Sequence, residues 1–291
     1  MNFSVMTTSY PVDDITYDEI KQLCDSSFAI DGVHYDGILN LPVAMNYDVK
    51  GFFVLLYNDE ADTLVGVASV IDLMGFNTFE WSMLVHPMYR NIGLGETIYN
   101  TVQKGLEVRG FNGQLALMME DKNSYGKKFL QNHGFVYSFS EATLEAKAEM
   151  SSWSPEVTIR PYNQTDTAAL VEVFCKAFGD ENEEALELIE YNSNHNELKL
   201  WVAELQGEVV GSVTTHKKGD SQWITALAVH PKAEGQGVGT ALINSVKQHA
   251  FVQDEHYVKL DVELTNDRAL TIYNKTGFIK VAQIDYFALT K

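Results

Sequence analysis

Cysteine is nearly absent: only Cys24 and Cys175 occur among 291 residues. Both fall in segments with helical apolar periodicity, and they do not have metal spacing. They read as buried free thiols of a reducing, cytoplasmic setting. Long apolar runs are missing as well. The longest, around residues 51–57, is far short of the ~20 residues that cross a bilayer, so a membrane role is not expected. The opening MNFSVMTTSYPVDD has no basic region and no apolar core, and does not read as a secretory signal. Cations are scarce: 21 Lys and Arg stand against 40 Asp and Glu, a formal net charge of −19. The adjacent basic pairs Lys127-Lys128 and Lys217-Lys218 are too short to form a patch. Such a surface does not suit a nucleic-acid backbone. No group of His, Cys, Asp and Glu has the spacing of a metal site.

What remains is an ordinary globular composition, 45% hydrophobic and 11% aromatic. The length suits two domains of ~150 residues each. The chain also repeats itself. Residues 84–95 read LVHPMYRNIGLG and residues 228–239 read AVHPKAEGQGVG, an offset of 144. Residues 123–135, NSYGKKFLQNHGF, match 266–278, NDRALTIYNKTGF, at an offset of 143. Leu64-Val65-Gly66 matches Val209-Val210-Gly211 at an offset of 145. Three ordered matches at nearly constant offset indicate a duplicated domain. The small, polar segment 148–156 separates the copies, giving expected domains 1–148 and 157–291. Both halves are acidic.

The second half has the clearer layout. Strands are expected at 157–160, 199–205, 208–215, 223–229, 257–263 and 280–289. Helices are expected at 166–178, 183–193, 238–251 and 267–276. Gly277 stands where a helix C-cap belongs. Strands mixed with helices indicate an α/β class.

The chemically informative element is the turn around Gly235, Gly237 and Gly239. A strand ends at Val229, Pro231 interrupts the ladder, and the glycines open a helix. Glycine lets backbone approach a ligand, and the first helical turn offers unpaired N–H groups and partial positive charge. Together these suit a phosphate or pyrophosphate. The first half repeats the turn with Gly93 and Gly95, and Arg90 adds a potential bidentate donor. Neither copy has the Gly-Lys-Ser/Thr of a Walker A loop. Leu242 and Ile98 stand where the dinucleotide fingerprint needs a small residue.

The runs Leu227-Ala228-Val229-His230-Pro231 … Gly235-Gln236-Gly237-Val238-Gly239 and Met83-Leu84-Val85-His86-Pro87 … Arg90-Asn91-Ile92-Gly93-Leu94-Gly95 resemble the acyl-coenzyme A signature of the GNAT N-acetyltransferase superfamily. The segment from Asn266 to Gly277-Phe278 resembles its second signature. The likeness covers nearly the whole chain as two tandem domains. It implies in each a mixed, largely antiparallel sheet, flanked by helices, whose fourth and fifth strands splay apart. By this resemblance Leu227, Ala228 and Val229, or Met83, Leu84 and Val85, would pair with the pantetheine arm of acetyl-CoA. Gly235, Gln236, Gly237, Val238, Gly239 and Thr240, or Arg90, Asn91, Gly93, Gly95 and Glu96, would hold the pyrophosphate. Asn266 or Asn123 would contact the pantetheine or the splayed strand. A backbone N–H near Val229 would meet the developing oxyanion.

The implied reaction is acyl transfer by direct attack of an amine, of a small molecule or a peptide, on the thioester. Tyr273 matches the tyrosine that commonly protonates the leaving thiolate. The halves depart from the pattern in opposite ways. Leu130 replaces that tyrosine in the first half, and Glu234 occupies the Arg/Gln position of the turn in the second. The expectation is a catalytic second half. The first half is left either as a weak coenzyme A binder or as a structural partner shaping the acceptor groove. No general base is readable: Glu80, Asp261 and Glu263 are the carboxylates on the relevant strands. His86 and His230 read as structural residues at strand ends. A non-catalytic acyl-CoA-binding module and a transferase for a larger acyl group stay open, as does the oligomeric state.

Overall fold

The computed structural model describes residues 2–73, 75–120 and 125–289. Asn123 therefore lies outside the described residues. The chain forms two compact units, residues 1–140 with 284–291, and residues 141–283.

The first unit begins with β1 (Phe3–Ser9) and α1 (Asp14–Asp31). The strands β2 (Lys50–Asn58), β3 (Thr63–Asp72) and β4 (Thr78–Val85) follow. Then come α2 (Leu94–Arg109), β5 (Gly113–Met119) and α3 (Tyr125–Asn132). Strands β1 to β4 pair antiparallel in sequence order, and β5 joins β4 in parallel after the α2 crossover. Helix α1 starts where the Asp13 carboxylate accepts the Thr16 N–H at 2.7 Å. It ends at Gly32, whose φ of 71° suits a left-handed cap. Helix α2 buries Leu94, Ile98, Val102 and Leu106, spaced four apart, against Phe52, Val54 and Leu56 of β2. The alternate β2 residues Phe53 and Leu55 face Ile20, Leu23 and Cys24 of α1. With both faces covered, β2 and β3 read as continuous apolar runs.

The second unit takes the end of β6 (Phe135–Lys147). It then runs β7 (Val157–Pro161), α4 (Thr167–Phe178), α5 (Asn182–Asn194), β8 (Leu198–Leu205), β9 (Glu208–Lys218) and β10 (Ser221–Val229). Helix α6 (Val238–Val252), β11 (Tyr257–Glu263), α7 (Asp267–Lys275) and the start of β12 (Ile279–Leu289) complete it. The order repeats that of the first unit: β7 to β10 are antiparallel neighbours, and β11 joins β10 in parallel. Helix α6 buries Val238, Ala241, Leu242, Val246 and Ala250 on one sheet face, and Leu170, Val173 and Phe174 of α4 cover the other. The connecting segment is anchored on α6: Glu149 lies 2.6 Å from the Lys247 ammonium, and the Asn244 amide donates to Ser152 O at 3.0 Å.

The units do not follow the linear division at 148–157. Residues 141–147 pair antiparallel with β11 in the second unit. Residues 284–288 of β12 pair antiparallel with β5 in the first. Each parallel strand needs an antiparallel neighbour on its far edge, and the strand serving β5 comes from the end of the chain. No helix among the described residues is long and apolar enough to cross a membrane. Cys24 is buried, while Cys175 is only half-buried and donates to the Asn182 carbonyl at 3.3 Å.

Truncation after Gln283 removes the strand that satisfies β5. Limited proteolysis should then cut within residues 1–140 while 141–283 stays resistant. Equal resistance of both parts would contradict this arrangement.

Candidate functional site

Strands β10 and β11 pair only over Ser221–Ile224 and Tyr257–Leu260. At Thr225 the ladder to β9 jumps, from Ile224↔Thr215 to Ala226↔Thr214. Such a bulge bends a strand. Beyond it β10 stays with β9, and Asp261 to Glu263 of β11 keep only their partners on the other edge, Thr143 to Glu141 of β6. The edge of Ala226 to Val229 that faces β11 is left without ladder partners. Unpaired strand backbone of this kind is a template for an amide-bearing ligand.

A cavity of about 750 Å³ opens in this gap. Leu227 and Val229 form one wall, and Asp261, Val262 and Glu263 the other. Gly235, Gly237, Val238, Gly239 and Thr240 close one end, with Asn266, Ile272 and Tyr273 of the α7 region beside them. Ala228 points to the opposite sheet face, into the cluster with α4, because alternate residues of a strand face opposite ways. Gln236 turns its amide back to Lys232 O at 2.9 Å.

The glycines of the turn are required for different reasons. Gly235 and Gly237 have φ of 72° and 81°, the left-handed region where an L side chain is disfavoured. Gly239 has no such φ, but an added Cβ would lie 2.7 Å from Ile272 Cδ1. The turn thus aims the first amides of α6 into the cavity, a geometry that fits a pyrophosphate. Asn266 caps α7, its carbonyl oxygen accepting the Ala269 N–H at 3.0 Å. His230 accepts the Lys232 N–H at 3.0 Å, and His86 the Met88 N–H at 3.3 Å. Both histidines therefore shape the turn after their strand, as expected.

Tyr273 is 8% exposed, and its ring packs 5.6 Å from that of Phe278. Its hydroxyl makes no hydrogen bond with the described residues. Burial pushes its pKa up from the ordinary phenol value. The charges around the cavity are mixed. Asp261 accepts from the Thr143 hydroxyl at 2.6 Å, and Glu263 from that of Thr265. Glu234 lies 2.8 Å from the Arg268 guanidinium. Lys176, Arg268 and Lys275 line the cavity and escaped the sequence reading. A signal for Arg268 was present, since a cation in the first turn of a helix opposes the macrodipole and needs a reason. The Thr225 bulge had none.

The first unit parts β4 and β5 in the same way: pairing ends at Trp81↔Ala116. Its β3–β4 ladder runs without a bulge. Asn91 and Gly93 keep the left-handed turn, with φ of 65° and 89°. The other groups are already engaged. Arg90 donates to Asp31 at 2.8 Å, to the Tyr35 hydroxyl at 3.2 Å and to Val85 O at 3.0 Å. Glu96, in the first turn of α2, pairs with His133 at 3.1 Å. Phe129 and Met83 lie 3.7 and 3.9 Å from where a Gly95 Cβ would be. Leu84 and Leu130 are buried in core clusters, and Val85 packs partly buried.

A duplicated α/β unit with splayed parallel strands and a glycine turn before a helix is the architecture of an acyl-coenzyme A-dependent transferase. The sequence profile of the acetyltransferase (GNAT) family matches residues 18–135 and again 167–278, and the chain belongs to that family. Solved structures of similar fold span the whole chain. A GCN5-related N-acetyltransferase from Sphaerobacter thermophilus is 17% identical, with a TM-score of 0.78 covering 98% of this chain and 95% of its own. A tandem GNAT protein from the clavulanic acid biosynthesis pathway is 12% identical, with a TM-score of 0.73 and 98% of each chain covered. A GNAT-family acetyltransferase from Colwellia psychrerythraea is 14% identical, at 0.65, covering 98% and 100%.

Replacing Gly237 by alanine imposes a left-handed φ on an L residue. It should lower stability in urea denaturation by about 1–2 kcal/mol. An unchanged midpoint would show that the turn adopts another conformation.

Proposed function

We propose that the second unit is an N-acetyltransferase centre that moves an acetyl group from acetyl-CoA to an amine. One observation carries this reading: in the wall between the parted strands the second unit places a buried tyrosine whose hydroxyl no described residue occupies, where the first places a packed leucine. Acetyl-CoA supplies an activated acyl thioester. The free edge of Leu227 and Val229 binds and orients the pantetheine amides, and amides of the Gly235–Thr240 turn hold the pyrophosphate. An N–H of the same β10 edge meets negative charge developing on the carbonyl oxygen. Tyr273 holds a proton at Oη and gives it to the departing sulfur. Asp261 and Glu263 place negative charge on the opposite wall. That suits an acceptor which arrives as a cation, a small-molecule or peptide amine. It attacks after giving one proton to water; as the C–S bond breaks the nitrogen loses a second proton to water, and Tyr273 is reprotonated from solvent.

The first unit serves as the structural partner. Arg90 is held by Asp31 and Tyr35, and a second carboxylate, Glu96, stands in the first turn of α2, paired with His133. The two free thiols fit a reducing, cytoplasmic compartment.

Two measurements test the assignment. In a thiol-release assay over an amine panel, Tyr273→Phe should lower kcat about 100-fold, within the range for loss of a general acid, with KM for acetyl-CoA little changed. Unchanged turnover would remove Tyr273 from the chemistry. The pH profile carries a sign. A phenol acts as an acid only while protonated, and burial raises its pKa above the ordinary value of about 10. The kcat of the wild-type protein should therefore show no falling limb below about pH 10. A limb centred near pH 8 that disappears in Tyr273→Phe would contradict the role.

A further inference from the structure

The turn of the second unit carries Glu234 where the first carries Arg90, and a carboxylate there should repel a phosphate. Its partner changes that reading. Glu234 lies 2.8 Å from Arg268, and both side chains line the cavity. At the position equivalent to Arg268 the first unit has Tyr125. At these two positions the copies are reversed: the first unit has arginine on the turn and tyrosine at the start of the helix, the second has glutamate on the turn and arginine at the start of the helix. The first unit's Arg90 is committed to Asp31, Tyr35 and Val85 O, whereas Arg268 has, among the described residues, one ion pair, to the exposed carboxylate of Glu234. Arg268 and Lys275 stand seven residues apart on α7, two turns along the same side, and both line the cavity. Lys176, in the last turn of α4, lines it too. Neither lysine has a hydrogen bond or ion pair among the described residues.

We propose that Arg268 is the phosphate ligand of this site, and that Glu234 is a stand-in anion which holds it across the turn until a phosphate displaces it. The inference rests on the second unit being the acyl-CoA site. The Glu234 and Arg268 side chains are 38% and 69% exposed, and an ion pair so open to water contributes little stability. A diphosphate offers the guanidinium more charge and a bidentate acceptor, while the released carboxylate regains full solvation. The exchange therefore favours the phosphate. It also sets selectivity: a ligand lacking phosphates cannot displace Glu234, and gains nothing from Arg268. In a chain of net charge −19 the cation must be local, and the pairing keeps Arg268 from straying to other surface carboxylates.

The test is titration calorimetry of the full chain with coenzyme A and with pantetheine, which lacks every phosphate. Glu234→Gln frees Arg268 and should tighten coenzyme A binding about threefold to tenfold; Arg268→Gln should weaken it about tenfold. Pantetheine binding should change less than about twofold in either variant. Arg268→Lys should recover part of the loss. Both residues are exposed, and unchanged melting curves will show that the variants fold. Weaker coenzyme A binding in Glu234→Gln, or no effect of either substitution, would overturn the exchange while leaving the second unit as the donor site. A wild-type protein that binds no coenzyme A would overturn that underlying reading and the exchange with it.

Discussion

The site depends on where one ladder of hydrogen bonds stops. Backbone N–H and C=O groups in a sheet are almost always paired, so two neighbouring parallel strands part only if each has another partner. In the second unit β11 has β6, which takes Asp261 to Glu263. Strand β10 has β9, and the Thr225 bulge bends it away from β11 after Ile224. The gap follows, with an unpaired strand edge on one side. Because the chain leaves β10 through a glycine turn directly into α6, the helix amides come to the end of the same gap. A backbone groove and an anion-binding turn are thereby joined in one cavity, with Tyr273 in its wall.

The duplication preserves this architecture in both units but not the side chains around the gap. The first unit keeps the left-handed turn and the parted strands. Around its turn Glu96 is paired with His133 and Arg90 with Asp31. The second unit lines its cavity with Lys176, Arg268 and Lys275, all on helices. Negative charge dominates the protein as a whole, so attraction for a phosphorylated ligand must come from short-range donors: fixed amides, Arg268, Lys176 and Lys275.

Much of this was legible in the residues. The repeat and the glycine turn gave the duplicated α/β architecture, and β11 begins and ends where its alternation and flanking turns place it. The Tyr273/Leu130 asymmetry was visible because both copies could be aligned on Gly-Phe. Three features were not legible. The exchange of residues 141–147 and 284–291 between units leaves no trace in local pattern, since a strand reads the same whichever sheet it joins. The bulge at Thr225 is one residue of register, and nothing in the ITAL stretch distinguishes it from a regular strand. Pairing of Glu234 with Arg268 is a contact between distant positions, and the Asp31–Arg90 pair at the first turn is another. Sequence shows which charges exist, while folding decides which of them are already spoken for.

The central claim is that one unit, the second, holds the acyl donor between its parted strands. A crystal structure of the full chain grown with saturating coenzyme A tests it directly. The account predicts a single molecule, its pantetheine arm along Ala226 to Val229 and its diphosphate at Gly235 to Thr240. Density instead at the Gly93–Glu96 turn, between β4 and β5, would contradict it.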